Sequence, residues 1–368
     1  MQVHQEWQRA WLPMADLLDQ MIAAGARARH HALAATARLA HGKPPIQFIA
    51  GPASPHRVVA DGPLARVLHY PAKTPRPGRV PLVIVASLIN RYYVLDLLPE
   101  LSVIGGLTGG DLDVYVLDWK APGELGVGLR FADYLDGAIA AAVREATRAS
   151  SVEQAAMLGY CMGGTLAAMF AARHPSLVRA LCLLGTPIDF HASGQLAEWT
   201  RRELFDADLL IDALGNMPPA LMQSGFKLMN PADALFKLAH LFLDGDDEAR
   251  VRHVVALESW LDDNIAFPGG VYRDYIRKLY QDNALIHGRM TVGGEPIDLA
   301  KLTAPLLNVI ALRDHICAPP ASRALMERVG STDKAVVEFD TGHIGLTTSR
   351  RAHAELWPQI ARWLEERR

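Results

Sequence analysis

The chain has 368 residues, of which 50% are hydrophobic, and a formal net charge of -3 at pH 7 with a sequence pI near 6.5. This composition allows a packed core, and the interspersed charges exclude the basic surface of a nucleic-acid-binding protein. No uninterrupted apolar run approaches the roughly 20 residues that cross a bilayer, so we expect no transmembrane segment.

Residues 1–55 differ in character from the rest and are predicted to form an N-terminal helical region. Their apolar residues alternate spacings of four and three, which is typical of an amphipathic helix: Trp7, Trp11, Met14, Leu18 and Met21. Such a helix either packs on its own core or docks to a partner or a hydrophobic particle. The adjacent His30 and His31 would point about 100° apart on a helix, which argues against a metal site.

Short apolar runs alternate with helical stretches along the remainder of the chain. The runs are residues 82–85, 114–117, 155–160, 180–184, 306–311 and 335–339. This alternation predicts βαβ units, and therefore an α/β fold with a mainly parallel sheet. The glycine-rich stretch 105–110 lacks the Lys-Ser/Thr of a phosphate-binding loop and precedes a strand, so it is predicted to be a flexible turn.

More than 100 residues separate the fourth run from the fifth, and they have helical periodicity. Apolar residues recur there at three- and four-residue spacing, in segments 206–214, 219–228, 231–243 and 250–260. We therefore predict a helical cap, residues 187–302, inserted into a core made of residues 56–186 and 303–368. The Met and aromatic residues of the cap are predicted to belong to its core.

The sequence Gly159-Tyr160-Cys161-Met162-Gly163-Gly164 has the pattern of a nucleophile elbow. It lies between an apolar strand and a predicted helix, and its glycines would let strand and helix approach closely while the nucleophile projects outward. The pattern predicts Cys161 as a nucleophile, and the alternative is a buried thiol at the end of a strand. Cys182 and Cys317 are predicted to be structural.

A cysteine nucleophile needs a base, and the base needs an acid that orients it. Asp314 follows the fifth strand and His343 follows the sixth, which is the order of acid and base in α/β-hydrolases. We therefore predict a Cys161–His343–Asp314 triad, with His315 as the rival base. The backbone N–H of Met162 would donate to the oxyanion, together with one from the loop that follows residue 85.

A cysteine nucleophile also bears on the substrate. An acyl-cysteine is a thioester, so exchange with coenzyme A would be nearly thermoneutral and the acyl group would stay activated for an alcohol. This chemistry favours acyl transfer from a thioester over hydrolysis. Three cysteines, far apart in the sequence, and no signal-peptide pattern predict a reducing compartment, the cytoplasm.

Six motifs, in the same order, resemble those of the polyhydroxyalkanoate synthases over about residues 56–350, and the length is similar to that of their short, class III catalytic subunits. The motifs lie at residues 89–97, 116–119, 159–164, 186–190, 314–315 and 342–345. The resemblance implies an α/β-hydrolase core under a cap, and polymerisation of 3-hydroxyacyl-CoA with release of coenzyme A and no other cofactor. It implies Cys161 as the acyl carrier, His343 as the base, Asp314 as its helper or as activator of the substrate hydroxyl, and Ile89 as the second oxyanion donor.

The same resemblance implies work at the surface of a polyester granule in the cytoplasm, a second synthase subunit, and a homodimer. The chain departs from the usual pattern at Ala86-Ser87-Leu88, where synthases have a Pro-Pro-Trp/Cys stretch, and at Arg91, where they have Lys. Two alternatives remain open. One is a cysteine hydrolase, such as a depolymerase, a thioesterase or a dienelactone-hydrolase-like enzyme, and the other is a granule-coating scaffold with little activity.

Overall fold

The predicted apolar runs lie side by side in one eight-stranded sheet of the computed structural model, which describes residues 2–46, 51–74, 76–230 and 233–367. The strands of the chain are β1 (Arg57–Asp61), β2 (Ala65–Tyr70), β3 (Leu82–Val85), β4 (Val114–Trp119), β5 (Ala155–Tyr160), β6 (Val178–Leu184), β7 (Thr291–Val292), β8 (Glu295–Pro296), β9 (Leu306–Ala311) and β10 (Lys334–Phe339). The sheet order is β1-β2-β4-β3-β5-β6-β9-β10, and β7 and β8 form a separate ribbon.

In the large sheet, strands β3, β4, β5, β6, β9 and β10 are parallel to one another, and β2 pairs in the antiparallel direction with both β1 and β4. Their carboxyl ends therefore meet at one edge of the sheet. The predicted fold class, an α/β-hydrolase core with a mainly parallel sheet and an inserted helical cap, is confirmed. Strands β1 and β2 were not predicted from the sequence.

The α-helices belong partly to the layers on the two faces of the sheet and partly to the cap. They are α1 (Gln2–Ala40), α2 (Val103–Gly109), α3 (Ala140–Ser150), α4 (Met162–Arg173), α5 (Gln195–Trp199), α6 (Ala207–Leu214), α7 (Pro219–Met229), α8 (Asp233–Leu243), α9 (Glu248–Leu261), α10 (Gly269–Asp274), α11 (Pro319–Arg323), α12 (Gly345–Thr348) and α13 (Trp357–Glu365). Three π-helices occupy Asp133–Ile139, Tyr275–Gln281 and Ala352–Leu356.

Two hydrophobic cores lie on opposite faces of the sheet. Along β5, Met157 faces the core that contains Leu166 and Phe170 of α4, while Leu158 faces the core that contains Ile360 of α13. Successive side chains of a strand point to opposite faces, so a strand buried on both faces is apolar throughout. This explains why β5 gave a continuous apolar run rather than an alternating one.

Helices α5–α10 and the β7–β8 ribbon lie between β6 and β9 in the chain. Helix α1 packs on α8 and α9 of this cap through a small separate core that includes Ala34 and Ala37. His30 Nε2 lies 2.9 Å from Asp262 Oδ2, and the buried Arg38 donates to the carbonyl of Asp246 at 3.3 Å. Helix α1 therefore packs on the cap, although the cap is encoded about 150 residues later in the sequence.

The apolar stripe predicted for the N-terminal helix is exposed where its side chains are described. Met14, Leu18 and Met21 are 51–64% exposed, and the neighbouring Leu17 and Ile22 are exposed as well. The side chains of Trp7 and Trp11 lie outside the described residues. For the three described positions, packing on the protein's own core is wrong, because α1 uses Leu12, Ala34 and Ala37 instead.

The glycine-rich stretch 105–110 is not a flexible turn, because residues up to Gly109 belong to α2. The Ser102 hydroxyl caps this helix by accepting the Gly105 N–H at 2.7 Å, and Ile104 and Leu107 are fully buried. A cap and a buried face outweigh the low helix propensity of glycine.

The cap's Met and aromatic residues divide between the interior and the surface. Met217 and Trp260 are buried as predicted, whereas Phe236 is 65% exposed, so the prediction is wrong for that residue. Within the described part of the chain, no helix combines the length and the apolar character that crossing a membrane requires.

Candidate active site

Cys161 lies in the turn between β5 and α4, with a backbone conformation that side-chain-bearing residues rarely adopt. Its φ is 57° and its ψ is -130°. The flanking glycines make this turn possible. A Cβ on Gly159 would lie 2.4 Å from the Cα of Gly164, and one on Gly163 would lie 2.1 Å from the carbonyl oxygen of Val85. The sharp strand-to-helix turn that the sequence pattern predicts is therefore present, with Cys161 at positive φ.

Asp314 and His343 form a buried pair at the same edge of the sheet. His343 Nδ1 donates to Asp314 Oδ2 at 2.6 Å, and the other carboxylate oxygen accepts the backbone N–H groups of Ile316 and Cys317, each at 2.8 Å. Every hydrogen bond to Asp314 holds the carboxylate in one orientation. Because the loops after β9 and β10 carry these residues, the parallel sheet itself brings the two side chains together.

The electrostatic surroundings raise the pKa of His343 well above its ordinary value. Burial alone lowers this pKa, because it penalises the charged imidazolium, but neighbouring negative charge outweighs burial. Burial raises the pKa of Tyr160 to about 12, so this stacked neighbour is a neutral phenol at neutral pH. The charge of Asp314, which accepts the Nδ1–H of His343, is therefore one that favours the imidazolium.

The two backbone N–H groups predicted as oxyanion donors are those of Met162 and Ile89. The Met162 N–H, at the first turn of α4, has no hydrogen-bond partner among the described residues. The Ile89 N–H has only a long bond, 3.3 Å, to the Ser87 hydroxyl. The close approach of Gly163 to Val85 and Ala86 places the loop after β3 against the start of α4.

Tyr275 and Tyr280 belong to the hydrophobic core against which Cys161 packs, and neither was singled out from the sequence. Burial raises the pKa of each phenol above its ordinary value. They belong to an aromatic cluster with Phe190, whose ring is 5.5 Å from Tyr275 and 5.0 Å from Tyr280. On an α-helix, residues five apart lie about 140° apart, but these two share a π-helix, whose hydrogen bonds run from i to i+5.

His315, Cys182 and Cys317 lie outside the Asp314–His343 pair. His315 is exposed beside Asp314, whereas His343 is buried in contact with it. Cys182 is fully buried in β6, and Cys317 is buried with its N–H on Asp314. Among the residues that the structure describes, no group of three or more His, Cys, Asp and Glu side chains is arranged to hold a metal ion. The absence of a metal or cofactor stays a prediction.

Known proteins first identify the class of this fold. A sequence model described as the alpha/beta hydrolase fold matches residues 82–348. A hydrolase from Pseudomonas aeruginosa superposes with a TM-score of 0.52 at 17% identity, covering 84% of this chain and 98% of its own. A monoacylglycerol lipase from Paleococcus ferrophilus has a TM-score of 0.50 at 18% identity, covering 83% and 99%. The protein is thus an α/β hydrolase in fold.

Sequence relatives identify the family more narrowly. A second sequence model, the poly-beta-hydroxybutyrate polymerase (PhaC) N-terminus, matches residues 49–106. The poly(3-hydroxyalkanoate) polymerase subunit PhaC of Haloferax mediterranei is 35% identical over 98% of this chain and 70% of its own length. The subunit of the same name from Allochromatium vinosum is 36% identical over 81% and 84%. The chain belongs to the poly(3-hydroxyalkanoate) polymerase family.

Replacing Gly163 with Ala should destabilise the protein by about 1–3 kcal/mol, because the new methyl group overlaps the carbonyl oxygens of Val85 and Ala86. Gly106→Ala is the matched control, since a Cβ there meets nothing within 4 Å and the position is helical. This control should leave stability unchanged or raise it by about 0.5–1 kcal/mol. Urea unfolding measures both changes, and equal midpoints for the two variants would contradict the close approach.

Replacing Asp314 with Asn should lower the pKa of His343, because the lost negative charge is one that stabilises the imidazolium. The imidazole should therefore become neutral at a lower pH than in the unmodified protein. Asp340→Asn is the control, since this carboxylate is exposed and pairs with Arg313 at 2.8 Å. NMR titration of the histidine ring, assigned with His343→Gln, measures the midpoint. An unshifted midpoint in Asp314→Asn would overturn the electrostatic account.

Proposed function

We propose that the protein polymerises 3-hydroxyacyl-CoA into polyhydroxyalkanoate and releases coenzyme A. The observation that carries this proposal is the placement of Cys161, in a strained elbow, at the same sheet edge as the buried His343–Asp314 pair. Membership of the poly(3-hydroxyalkanoate) polymerase family supplies the substrate class. The elbow supplies the nucleophile, and the pair supplies a base for it.

In the first step, the sulfur of Cys161 attacks the carbonyl carbon of the substrate thioester. A new C–S bond forms to Cys161, and the C–S bond to coenzyme A breaks. The thiol proton passes through His343 to the departing coenzyme A sulfur, so coenzyme A leaves as the free thiol. The N–H groups of Met162 and Ile89 stabilise the negative charge that develops on the carbonyl oxygen, and the long bond from Ile89 to Ser87 is one that such an oxygen displaces readily.

In the second step, the 3-hydroxyl group of a second acyl chain attacks the thioester on Cys161. A C–O ester bond forms, the C–S bond to Cys161 breaks, and the hydroxyl proton returns through His343 to the sulfur. Asp314 keeps the imidazole oriented for both proton transfers. Water at the same position would release a free hydroxy acid, which is the reaction of the alternative cysteine hydrolase.

The aromatic cluster around Phe190, Tyr275 and Tyr280 provides an apolar surface for the acyl chain beside Cys161. Such a surface also keeps water away from the acyl-enzyme, which favours the alcohol as acceptor. Coenzyme A enters as part of the substrate and leaves as a product, so the reaction as proposed needs no further cofactor.

We further propose that the protein works at the surface of a polyester granule in the cytoplasm. The exposed apolar side chains of α1 support this location, because five of them follow helical spacing on one stretch: Met14, Leu17, Leu18, Met21 and Ile22. The relatives are named as polymerase subunits, which supports a second synthase subunit as partner. A homodimer is also proposed, and sedimentation of the purified chain with and without substrate tests it.

Replacing Cys161 with Ala should abolish coenzyme A release from 3-hydroxybutyryl-CoA, because no acyl-enzyme can form. His343→Ala should lower the rate by on the order of 10³-fold or more, since the thiol then lacks its base. A thiol reagent measures free coenzyme A, mass spectrometry of the intact protein measures the acyl adduct, and NMR identifies the product. Cys182→Ala is the control, because that thiol is fully buried within β6 and is not exposed to substrate.

Polymer among the products, with an adduct confined to Cys161, is the expected result. Free 3-hydroxybutyrate as the sole product would instead favour the hydrolase. Normal turnover in Cys161→Ala would remove this residue from the mechanism. Granule binding without turnover in the unmodified protein, tested with several acyl lengths, would favour the scaffold.

Replacing Met14, Leu18 and Met21 together with Gln should weaken binding to polyester granules, because the contact depends on exposed apolar area. The control replaces three exposed apolar residues elsewhere, Val58, Leu125 and Val336, with Thr, Gln and Thr. Co-sedimentation with washed granules measures binding, and release of coenzyme A from soluble substrate measures activity. Equal granule binding by both triple variants would contradict a role for α1.

A further inference from the structure

One segment of the cap, residues 260–265, is hydrogen-bonded along the loop that carries Ile89. Asn90 and Asn264 form a single antiparallel β-bridge, and the Asn90 side-chain amide donates to Asn264 Oδ1 at 2.5 Å. The Ile265 N–H donates to the carbonyl of Ile89 at 3.2 Å, and the Trp260 indole donates to the carbonyl of Arg91 at 2.7 Å. Three successive residues of the loop thus each bond to the cap.

Side chains at the same place reinforce the contact. Asp263 accepts a hydrogen bond from the hydroxyl of Tyr93 at 2.8 Å and lies 3.6 Å from Arg91 Nε. Arg91 also lies 3.9 Å from Asp118 at the end of β4. Its guanidinium therefore connects a carboxylate of the cap with one of the core.

The peptide that carries the Ile89 N–H lies between two fixed ends. On the core side, the Trp119 indole donates to the carbonyl of Ala86 at 2.9 Å, and the same carbonyl abuts Gly163. On the cap side, Ile265 fixes the carbonyl of Ile89, and Asn264 fixes the side chain of Asn90. The N–H group itself has only the 3.3 Å bond to Ser87. Its direction consequently depends on where the cap segment lies.

We propose that Asn264 is a positioning residue that orients the Ile89 N–H, so that the oxyanion hole is complete only while the cap is seated on this loop. The inference rests on the proposed acyl transfer and deepens it. If the cap moves away, its hydrogen bonds to Ile89, Asn90 and Arg91 break. Met162 then remains as the only donor of the pair that is held in place. Acylation of Cys161 and cap position are thereby coupled.

Loosening the cap can have two kinetic effects, which differ in the constant that changes. A cap that only encloses the substrate would alter KM or stability when it is loosened. A cap that orients an oxyanion donor alters the rate constant of acylation at saturating substrate. A displacement of catalytic groups by about 1 Å can lower the rate by on the order of 10²-fold.

The experiment measures the pre-steady-state burst of p-nitrophenol from p-nitrophenyl butyrate, an activated ester that reports acylation of Cys161 whatever the natural substrate is. Asn264→Ala should slow the burst roughly ten- to a hundredfold, with little change in the ester concentration that saturates it. Asn90→Ala should act alike, and the double variant should be no slower than either single one, because both remove one interaction. Asn264→Asp, which keeps an oxygen for the Asn90 amide, should recover part of the rate.

Glu100→Gln is the matched control, because Glu100 joins the core to the cap through Arg252 at 2.9 Å without touching the loop. It should leave the burst rate unchanged. An unchanged burst rate in Asn264→Ala, or additive effects in the double variant, would overturn the positioning role, even with a lowered unfolding midpoint. If the unmodified protein gives the ester burst but releases no coenzyme A from 3-hydroxyacyl-CoA, the proposed function fails while the positioning result stands. No burst with either substrate would overturn both.

Discussion

The close contact between the first turn of α4 and the end of β3 is the constraint on which the rest of the site depends. Gly163 permits it, since the carbonyl oxygens of Val85 and Ala86 occupy the space of a side chain. The contact fixes the turn at Cys161 relative to the loop that carries Ile89. A residue held at positive φ costs about 1–3 kcal/mol, and the surrounding bonds maintain it: the Cys161 N–H donates to Leu184 and its carbonyl accepts from Gly164, both at 2.9 Å.

The second requirement is a buried carboxylate whose hydrogen bonds are all made within the protein. An ionised carboxyl group is costly to bury unless donors surround it. Asp314 has three donors, two from the backbone of its own loop and one from His343. The backbone bonds hold the charge in place whether or not the imidazole carries its second proton. The loop after β9 therefore holds the carboxylate in a fixed position, and the loop after β10 supplies the imidazole that donates to it.

Much of this arrangement could be predicted from sequence because parallel strands leave simple signals. A strand buried on both faces is a continuous apolar run, and the residues that follow such runs meet at one edge, which is why Cys161, Asp314 and His343 could be proposed together. The roles of these residues, and those of Met162 and Ile89, stay predictions. The short antiparallel strands β1 and β2 left no such run, since Arg57, Arg66 and His69 interrupt them.

Features set by tertiary contacts could not be predicted. Helix α2 forms from a glycine-rich segment because Ser102 caps it and its apolar residues are buried, and neither fact is visible in its composition. Tyr275 and Tyr280 approach Cys161 on a π-helix, whose period differs from the one used to interpret helical patterns. The contact between Asn90 and Asn264 joins residues 174 positions apart, and nothing local to either one indicates it.

The attachment of α1 to the cap also has a consequence for the order of folding during synthesis. Helix α8 begins about 190 residues after α1 ends, so at roughly 5–20 residues per second the ribosome needs roughly 10–40 seconds to supply it. Ala34 and Ala37 therefore lack their partners from α8 and α9 until six of the eight strands of the large sheet have been synthesised. Helix α1 is therefore synthesised well before the two cap helices on which it packs, α8 and α9.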